Sequence, residues 1–396
     1  MEKQSRNQET ETKAWRQAYK KFCQDKIPSD MINLQNVFTP FDLCYDMVRK
    51  LEAYSEGLKD KTFCVFNLEF AEALCYLFGI ERRKVWFVTD CEIKKRFAEA
   101  ERYNGINTKL IEFKLFLKED WGMKFDCVIM NPPYQSNNPR NPLWKDFVIK
   151  ALSILKKDGF LVAIHPASWR KPDHKLFNIF KNKQLKYLEI HNHKDGKKIF
   201  GCGTRYDWYI LENIEGKKMT IVVDENGVQK ELDISKRAFI SNTHSDTLEK
   251  CLVKKGDERC EIIYSSTKYE TRKPWMSKDK KGDFKYPCVH SINRKGIKFW
   301  YSNTNAKGDF GVKKVIFYDG NIKDCFFDKD GKYGMTQHAF SINVKSDKEA
   351  EMIKQAVSNP SFQEMALSMI WAGFAFDFRA LKYFRKDFWK EFNEHS

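Results

Sequence analysis

Apolar and polar positions follow two rhythms in the first half of the chain. Within residues 42–54, Leu43, Met47, Val48 and Leu51 recur at helical spacing, with Asp42 near the start and Thr39-Pro40 just before. That spacing predicts a helix with one buried face. Short apolar runs follow at residues 62–68, 85–88, 125–130, 160–164, 185–190 and 206–211, each of strand length. Between them, residues 69–78, 93–104 and 143–157 read as amphipathic helices. The last turns Phe147, Val148, Ala151, Leu152 and Leu155 inward, with Gly159 beyond its end. The segment KKIFGCGTR, between the last two strands, reads as a loop. Buried strands alternating with helices predict an α/β domain with a mostly parallel sheet. Ligands of such sheets bind outside the carboxyl ends of the strands.

After about residue 215 the pattern changes. Short β-like runs (MTIVVD, KKVIFYDG, FSINV) alternate with lysine-rich loops, and residues 348–391 read as a helical tail rich in aromatics. Three parts are expected: a helical arm over residues 1–30, the α/β domain over 31–215, and a smaller mixed α+β domain over 216–396. The boundary falls near residues 213–217. The aromatic segment FDFRALKYF in the tail reads as packing.

Charge adds a partner to this picture. The chain carries 70 Lys and Arg against 54 Asp and Glu, a net +16, which favours a polyanion held in a salt-dependent way. Residues 271–314 concentrate the excess, with twelve basic residues against three acidic ones. Among them stand Trp275, Phe284, Tyr286, Phe299, Trp300, Tyr301 and Phe310. Lysine and arginine would neutralise phosphates there while aromatics reach bases. The eleven cysteines are scattered without a Cys-x-x-Cys pair, which points to free thiols and no metal site. The N-terminal sequence is charged and does not read as a signal peptide, and no apolar run reaches the roughly 18–20 residues of a membrane span. An intracellular, cytoplasmic protein with no membrane association is expected.

The candidate chemistry sits at the end of the apolar run at 125–130, in Asn131-Pro132-Pro133-Tyr134. The prolines fix φ and stiffen the turn. An asparagine amide oxygen and a proline carbonyl can both accept hydrogen bonds from one exocyclic amine, which leaves the amine lone pair free to attack. Tyr134 offers a ring on which a base taken out of its duplex can stack. With that motif the chain resembles the gamma-class amino-methyltransferases, the adenine-N6 enzymes of bacterial, phage and viral modification systems. The resemblance covers residues 30–215 and implies a Rossmann-like methyltransferase domain followed by a DNA target-recognition domain. It implies S-adenosyl-L-methionine as cofactor, double-stranded DNA as substrate, and a cognate restriction endonuclease or partner subunit. Asn131, Pro132, Pro133 and Tyr134 then form the catalytic loop. Asn36-Val37-Phe38-Thr39-Pro40 resembles the family segment that caps the methionine end of the cofactor, so Phe38, Thr39 and Pro40 are cofactor candidates. Phe200 resembles the aromatic that packs on the flipped adenine, with ordinary core as the other reading. His165-Pro166 matches a pocket segment, but a lone histidine is read as structural.

Two departures stand out. The family places glycines after its first strand, whereas here the stretch is Val65-Phe66-Asn67-Leu68-Glu69, without one. Asn67 or Glu69 is expected to serve the cofactor's ammonium end, and Asp90 its ribose hydroxyls, with a helix N-cap as the other reading of Asp90. The acid that the family sets before Phe-Leu falls, by fixed spacing, on Leu115. These departures leave a catalytically inactive DNA-binding subunit as an alternative, with an RNA adenine methyltransferase as another.

Overall fold

Helix α1 (Phe41–Tyr54) buries Met47, Val48 and Leu51 of the expected face, together with Phe41 and Cys44, while Leu43 is half-buried. It belongs to a computed structural model that describes residues 17, 21, 38–99, 104–134, 142–216, 219–373 and 375–393. The expected arm over residues 1–30 lies outside the described residues apart from Gln17 and Lys21, as do Asn36 and Val37. The chain divides into two units. One comprises Met1–Trp169 and Lys175–Lys236, the other Arg170–His174 and Arg237–Ser396.

The first unit is built on a nine-stranded sheet. Its strands are β1 (Phe63–Val65), β2 (Val85–Thr89), β3 (Asn107–Leu110), β4 (Phe125–Met130), β5 (Leu155–Pro166), β6 (Gln184–His191), β7 (Tyr206–Glu212), β8 (Thr220–Val223) and β9 (Gln229–Leu232). Their order is β3-β2-β1-β4-β5-β7-β6-β8-β9. Strands β3 to β5 pair in parallel, as do β6 and β8. β7 runs against both β5 and β6, and β9 against β8. The sheet is therefore mostly parallel, which bears out the fold class. Chain order reverses between β1 and β4, and that reversal opens a crevice at their carboxyl ends.

The sheet explains several departures from the sequence reading. Strand β3 joins an edge and buries none of its four side chains fully, so it lacks the continuous apolar run that marks a buried strand. The run MTIVVD, read as part of the C-terminal half, becomes β8 because it extends the same sheet through β6. The division between units accordingly falls at Lys236, past the expected boundary at residues 213–217. Helix α2 (Leu68–Glu72) continues as one π turn over Ala73–Leu77, with Gly79 in the left-handed region after it. Helices α3 (Glu92–Ala98), α4 (Phe113–Phe116) and α5 (Trp144–Ile154) follow. α5 ends earlier than expected because Leu155 turns extended and begins β5. Helix α6 (Lys175–Lys181) precedes β6. KKIFGCGTR is only partly a loop: its first four residues close helix α7 (His193–Phe200), which Asn192 caps in a reciprocal box with Asp195.

The second unit holds two four-stranded sheets. The first contains β10 (Ile262–Ile263), β14 (Lys314–Tyr318), β15 (Asn321–Asp328) and β17 (Ala339–Asn343). The second contains β11 (Met276–Ser277), β12 (Tyr286–Asn293), β13 (Gly296–Ser302) and β16 (Gly334–Met335). Helices α8 (Asp246–Cys251), α9 (Asp347–Ser358) and α10 (Pro360–Leu367) complete it. The expected helical tail is interrupted at Asn359-Pro360, where Asn359 caps α10 and Pro360 opens it. FDFRALKYF does pack: Phe376, Phe378 and Phe384 are buried in this unit's core. The ten cysteines among the described residues are free thiols. No described helix is long and apolar enough to cross a membrane.

Candidate active site

Parallel pairing brings the carboxyl ends of β1, β2, β3 and β4 to one edge of the first unit's sheet. The residues just past those ends are Asn67 and Glu69 after β1, Asp90 after β2, Glu112 after β3 and Asn131 after β4. Four of these five are the candidates read from the sequence. Glu112 is new. Fixed spacing had placed the family acid at Leu115, which is 57% exposed and has no polar group to offer. An acid does stand at this strand end, three residues earlier and directly before Phe113. Its charge acts on Asp90. The acid-Phe pair was the available signal, and counting back from Asp126 missed it. Asp126 itself is spent on structure, accepting from the Thr62 backbone N–H (2.8 Å), Thr62 Oγ1 (2.6 Å) and Lys156 Nζ (2.9 Å).

Asn131 is buried at the crevice and anchored on two sides. Its backbone N–H donates to Asn67 Oδ1 at 2.8 Å, and its side-chain Nδ2 donates to Thr39 Oγ1 at 3.1 Å. Thr39 is fully buried, and its own backbone N–H donates to Glu69 Oε1 at 3.1 Å. What remains of Asn131 is Oδ1, a buried acceptor without a hydrogen-bond partner among the described residues. A buried polar atom left unpaired is costly and marks a position built for something else. Pro132 and Pro133 are buried behind it.

Two carboxyl groups share the adjoining ground. Burial raises the Glu69 carboxyl above its usual range, against the nearby Lys94 ammonium and hydrogen bonds from its own and the Thr39 backbone, which lower it. Burial also pushes Asp90 up to about 6, again opposed by Lys94, with Glu112 adding to the rise. Asp90 Oδ1 has no hydrogen-bond partner among the described residues. The buried Glu69 and half-buried Asp90 set two carboxyl groups beside the one buried lysine, a set that suits a cationic ligand with hydroxyl groups. Lys94 was not singled out from the sequence, because one lysine in a charged helix gives no signal.

Tyr134 is half-buried, but its hydroxyl is fully enclosed and unpartnered among the described residues. Burial raises its pKa, with Cys202, Tyr206 and Asp207 as charged or ionisable neighbours. Residues after α7 therefore lie near Tyr134. Phe200 lies half-buried at the end of α7, edge-on to Tyr206 (centroids 5.0 Å, 82°) and against the first unit's core. Its contacts are those of a packing residue. His165 is structural, as expected: fully buried, stacked on Trp144 (4.4 Å), with Nε2 3.0 Å from the Tyr209 hydroxyl.

The approach of α7 to the loop behind it depends on Gly196. A Cβ there would lie 2.1 Å from the Thr204 carbonyl oxygen and 2.9 Å from that of Cys202. Gly196→Ala must push backbone apart, at a cost of about 1–3 kcal/mol. Thermal denaturation is expected to show a lowered midpoint, and an unchanged midpoint would mean that α7 is free to shift.

In the second unit, described by itself, the basic stretch folds as the β12–β13 hairpin with its turn at Asn293–Gly296. Trp275, Trp300 and Phe310 pack around Tyr269, Met276 and Cys288, while Phe299 stacks on Tyr333. Most aromatics of this region thus serve the fold. Seven of its twelve cations do not: Lys278, Lys280, Lys281, Lys285, Arg294, Lys295 and Lys298 are exposed, with no ion pair among the described residues.

A crevice at β1/β4 with a free asparagine oxygen agrees with what the chain resembles. Residues 67–200 match the Eco57I restriction-modification methylase family. The family resemblance read from the motif is borne out by that match. The matched methylase segment runs from Asn67 to Phe200 and so contains every candidate except Phe38, Thr39 and Pro40. A Mycoplasma pneumoniae protein described as an uncharacterized adenine-specific methylase is 29% identical over 200 residues, covering 46% of this chain. The match spans 45% of that relative's length. Among solved structures, the type I restriction-modification methyltransferase subunit from Streptococcus thermophilus is 15% identical, with 50% of this chain and 51% of that one covered and a TM-score of 0.37. The type IIG restriction endonuclease BpuSI is 8% identical, with 90% of this chain and 60% of that one covered and a TM-score of 0.45.

Proposed function

We propose that this chain is a site-specific DNA methyltransferase that places a methyl group on N6 of an adenine turned out of its duplex. The observation that carries the reading is Asn131: its nitrogen donors are tied to Asn67 and Thr39, and its Oδ1 is buried and unclaimed. Such an oxygen accepts from the exocyclic amine of adenine and holds its lone pair toward an electrophile, with Tyr134 as the stacking surface. S-adenosyl-L-methionine supplies that electrophilic methyl group when bound. Glu69 and Asp90 fit it: a buried carboxyl group for the ammonium and a carboxyl group with one unpartnered oxygen for the ribose hydroxyls. Phe38, Thr39 and Pro40 would close over its methionine end. The exposed cations of the β12–β13 region would lie on DNA phosphates, with a restriction endonuclease or companion subunit as the protein partner.

Incubation of the chain with duplex DNA and labelled S-adenosyl-L-methionine, followed by digestion to nucleosides, tests the reading. Label in N6-methyldeoxyadenosine is expected, whereas label only in cytosine or only in RNA would overturn it. The turn without glycine after β1 favours a second reading, a DNA-binding subunit that no longer takes the cofactor. Calorimetry with S-adenosyl-L-methionine separates the two, since that subunit would give no binding heat with or without DNA.

Asp90 gives the cofactor reading a pH signature. Its pKa is raised in the fold to about 6, so the ionised form is held there at a cost. Without ligand, the stability it contributes is present at low pH and lost as pH rises toward that value. Ribose hydroxyls need the ionised form as acceptor. Affinity for S-adenosyl-L-methionine is therefore expected to weaken as pH falls below about 6, approaching about tenfold per unit. Asp90→Asn should bind weakly throughout and lose that part of the slope. Matching pH profiles for the two proteins would remove Asp90 from the site.

A further inference from the structure

The catalytic loop's stiffness does not by itself orient the Asn131 side chain. Prolines fix backbone φ, but an asparagine carboxamide turns about a broad, roughly two-fold torsion. In one orientation it presents an acceptor to the crevice, and in the other a donor that an adenine amine cannot use. The choice is made outside the loop. Nδ2 is held by Thr39 Oγ1 at 3.1 Å, from a segment 92 residues earlier. The Asn131 backbone N–H is held by Asn67 Oδ1 at 2.8 Å. Thr39 is pinned in turn, with its N–H on Glu69 Oε1 at 3.1 Å. Asn67 stands in the turn where glycines would be expected, and a glycine there has no side-chain oxygen to receive the Asn131 amide.

We infer that Thr39 and Asn67 are positioning residues for Asn131, a two-point clamp that keeps Oδ1 facing the crevice as acceptor. The catalytic consequence rests on the adenine-methyltransferase reading, whereas the clamp itself does not. Thr39→Val keeps the side-chain volume and removes the hydroxyl, and Thr39→Ser restores it. For the valine variant kcat is expected to fall on the order of 10- to 100-fold, the scale of a misplaced reacting group, with KM for DNA unchanged. Thr39→Ser should recover most of kcat. Wild-type kcat in Thr39→Val, a rise in KM alone, or a serine variant as impaired as the valine one would overturn the inference.

A second measurement does not depend on turnover. In full-length protein carrying labelled asparagine, hydrogen exchange of the Asn131 side-chain amide is expected to be slow in the wild type and in Thr39→Ser, and fast in Thr39→Val. Equal exchange in all three would overturn the clamp. Slow exchange in a wild type that methylates no DNA would support the clamp and count against the proposed reaction.

Discussion

Asn131→Ala is expected to lower methyl transfer on the order of 100- to 1000-fold, the scale seen when one preorganised hydrogen-bonding group is removed from a reacting centre. The reason lies in what the substitution takes away. Oδ1 is a buried acceptor with no hydrogen-bond partner among the described residues, and alanine offers none in its place. The backbone N–H to Asn67 survives the change, so the loop keeps one anchor. DNA affinity should survive too, because the exposed cations assigned to phosphate contact belong to residues 278–298. Gel-shift titration and single-turnover methylation on the same preparation separate the two quantities. An alanine variant with wild-type turnover would show that the amine is held by something other than Asn131. A variant that loses DNA binding as well would show a role in docking rather than in the reaction.

The second large effect concerns stability and lies in the other unit. Lys314, on β14, is fully buried, and its ammonium donates to Asp328 Oδ2 (2.6 Å), the Asp309 carbonyl (2.7 Å) and the Val312 carbonyl (3.2 Å). Asp328, at the end of β15, also accepts from the Lys332 and Tyr333 backbone N–H groups at 2.8 and 3.1 Å. Every donor of the ammonium is satisfied, which is the condition under which a buried pair holds. Lys314→Met strands the Asp328 carboxylate in the interior and is expected to cost about 3–5 kcal/mol. Replacing both partners by apolar residues should recover only part of that, because the two amides on Asp328 lose their acceptor at about 1–3 kcal/mol each. Urea unfolding followed through Trp275 and Trp300 fluorescence measures both changes. A loss below about 1 kcal/mol, the range of an exposed pair, would mean that water reaches the site.

The first unit was legible in the sequence where burial is complete on both faces of the sheet. β4 was bounded correctly at residues 125–130 because all but one of its side chains are buried and a proline turn stops it. β3 was missed because it is an edge strand with half-exposed polar residues. The MTIVVD run was assigned to the wrong half because strand character is local, whereas the choice of sheet depends on pairing with β6, more than thirty residues back. The strand-end positions of Asn131 and Asp90 were legible because one directly follows an apolar run and the other stands two residues past one. The roles of Thr39 and Asn67 toward Asn131 were not legible: those bonds join residues 92 and 64 positions apart, and nothing in either local pattern announces them. Glu112 shows the limit of fixed spacing, since an acid-Phe pair stands at the end of β3, three residues before the position that the spacing picks.

The central claim is that this chain marks adenine in DNA at a defined sequence. Long-read sequencing that detects modified bases, run on DNA from cells expressing the wild type or Asn131→Ala, tests it most directly. N6-methyladenine confined to one recurring sequence in the wild type, and absent from the Asn131→Ala cells, is the expected result. Identical, unmodified adenine in both, with the wild-type protein folded and abundant, would contradict the claim.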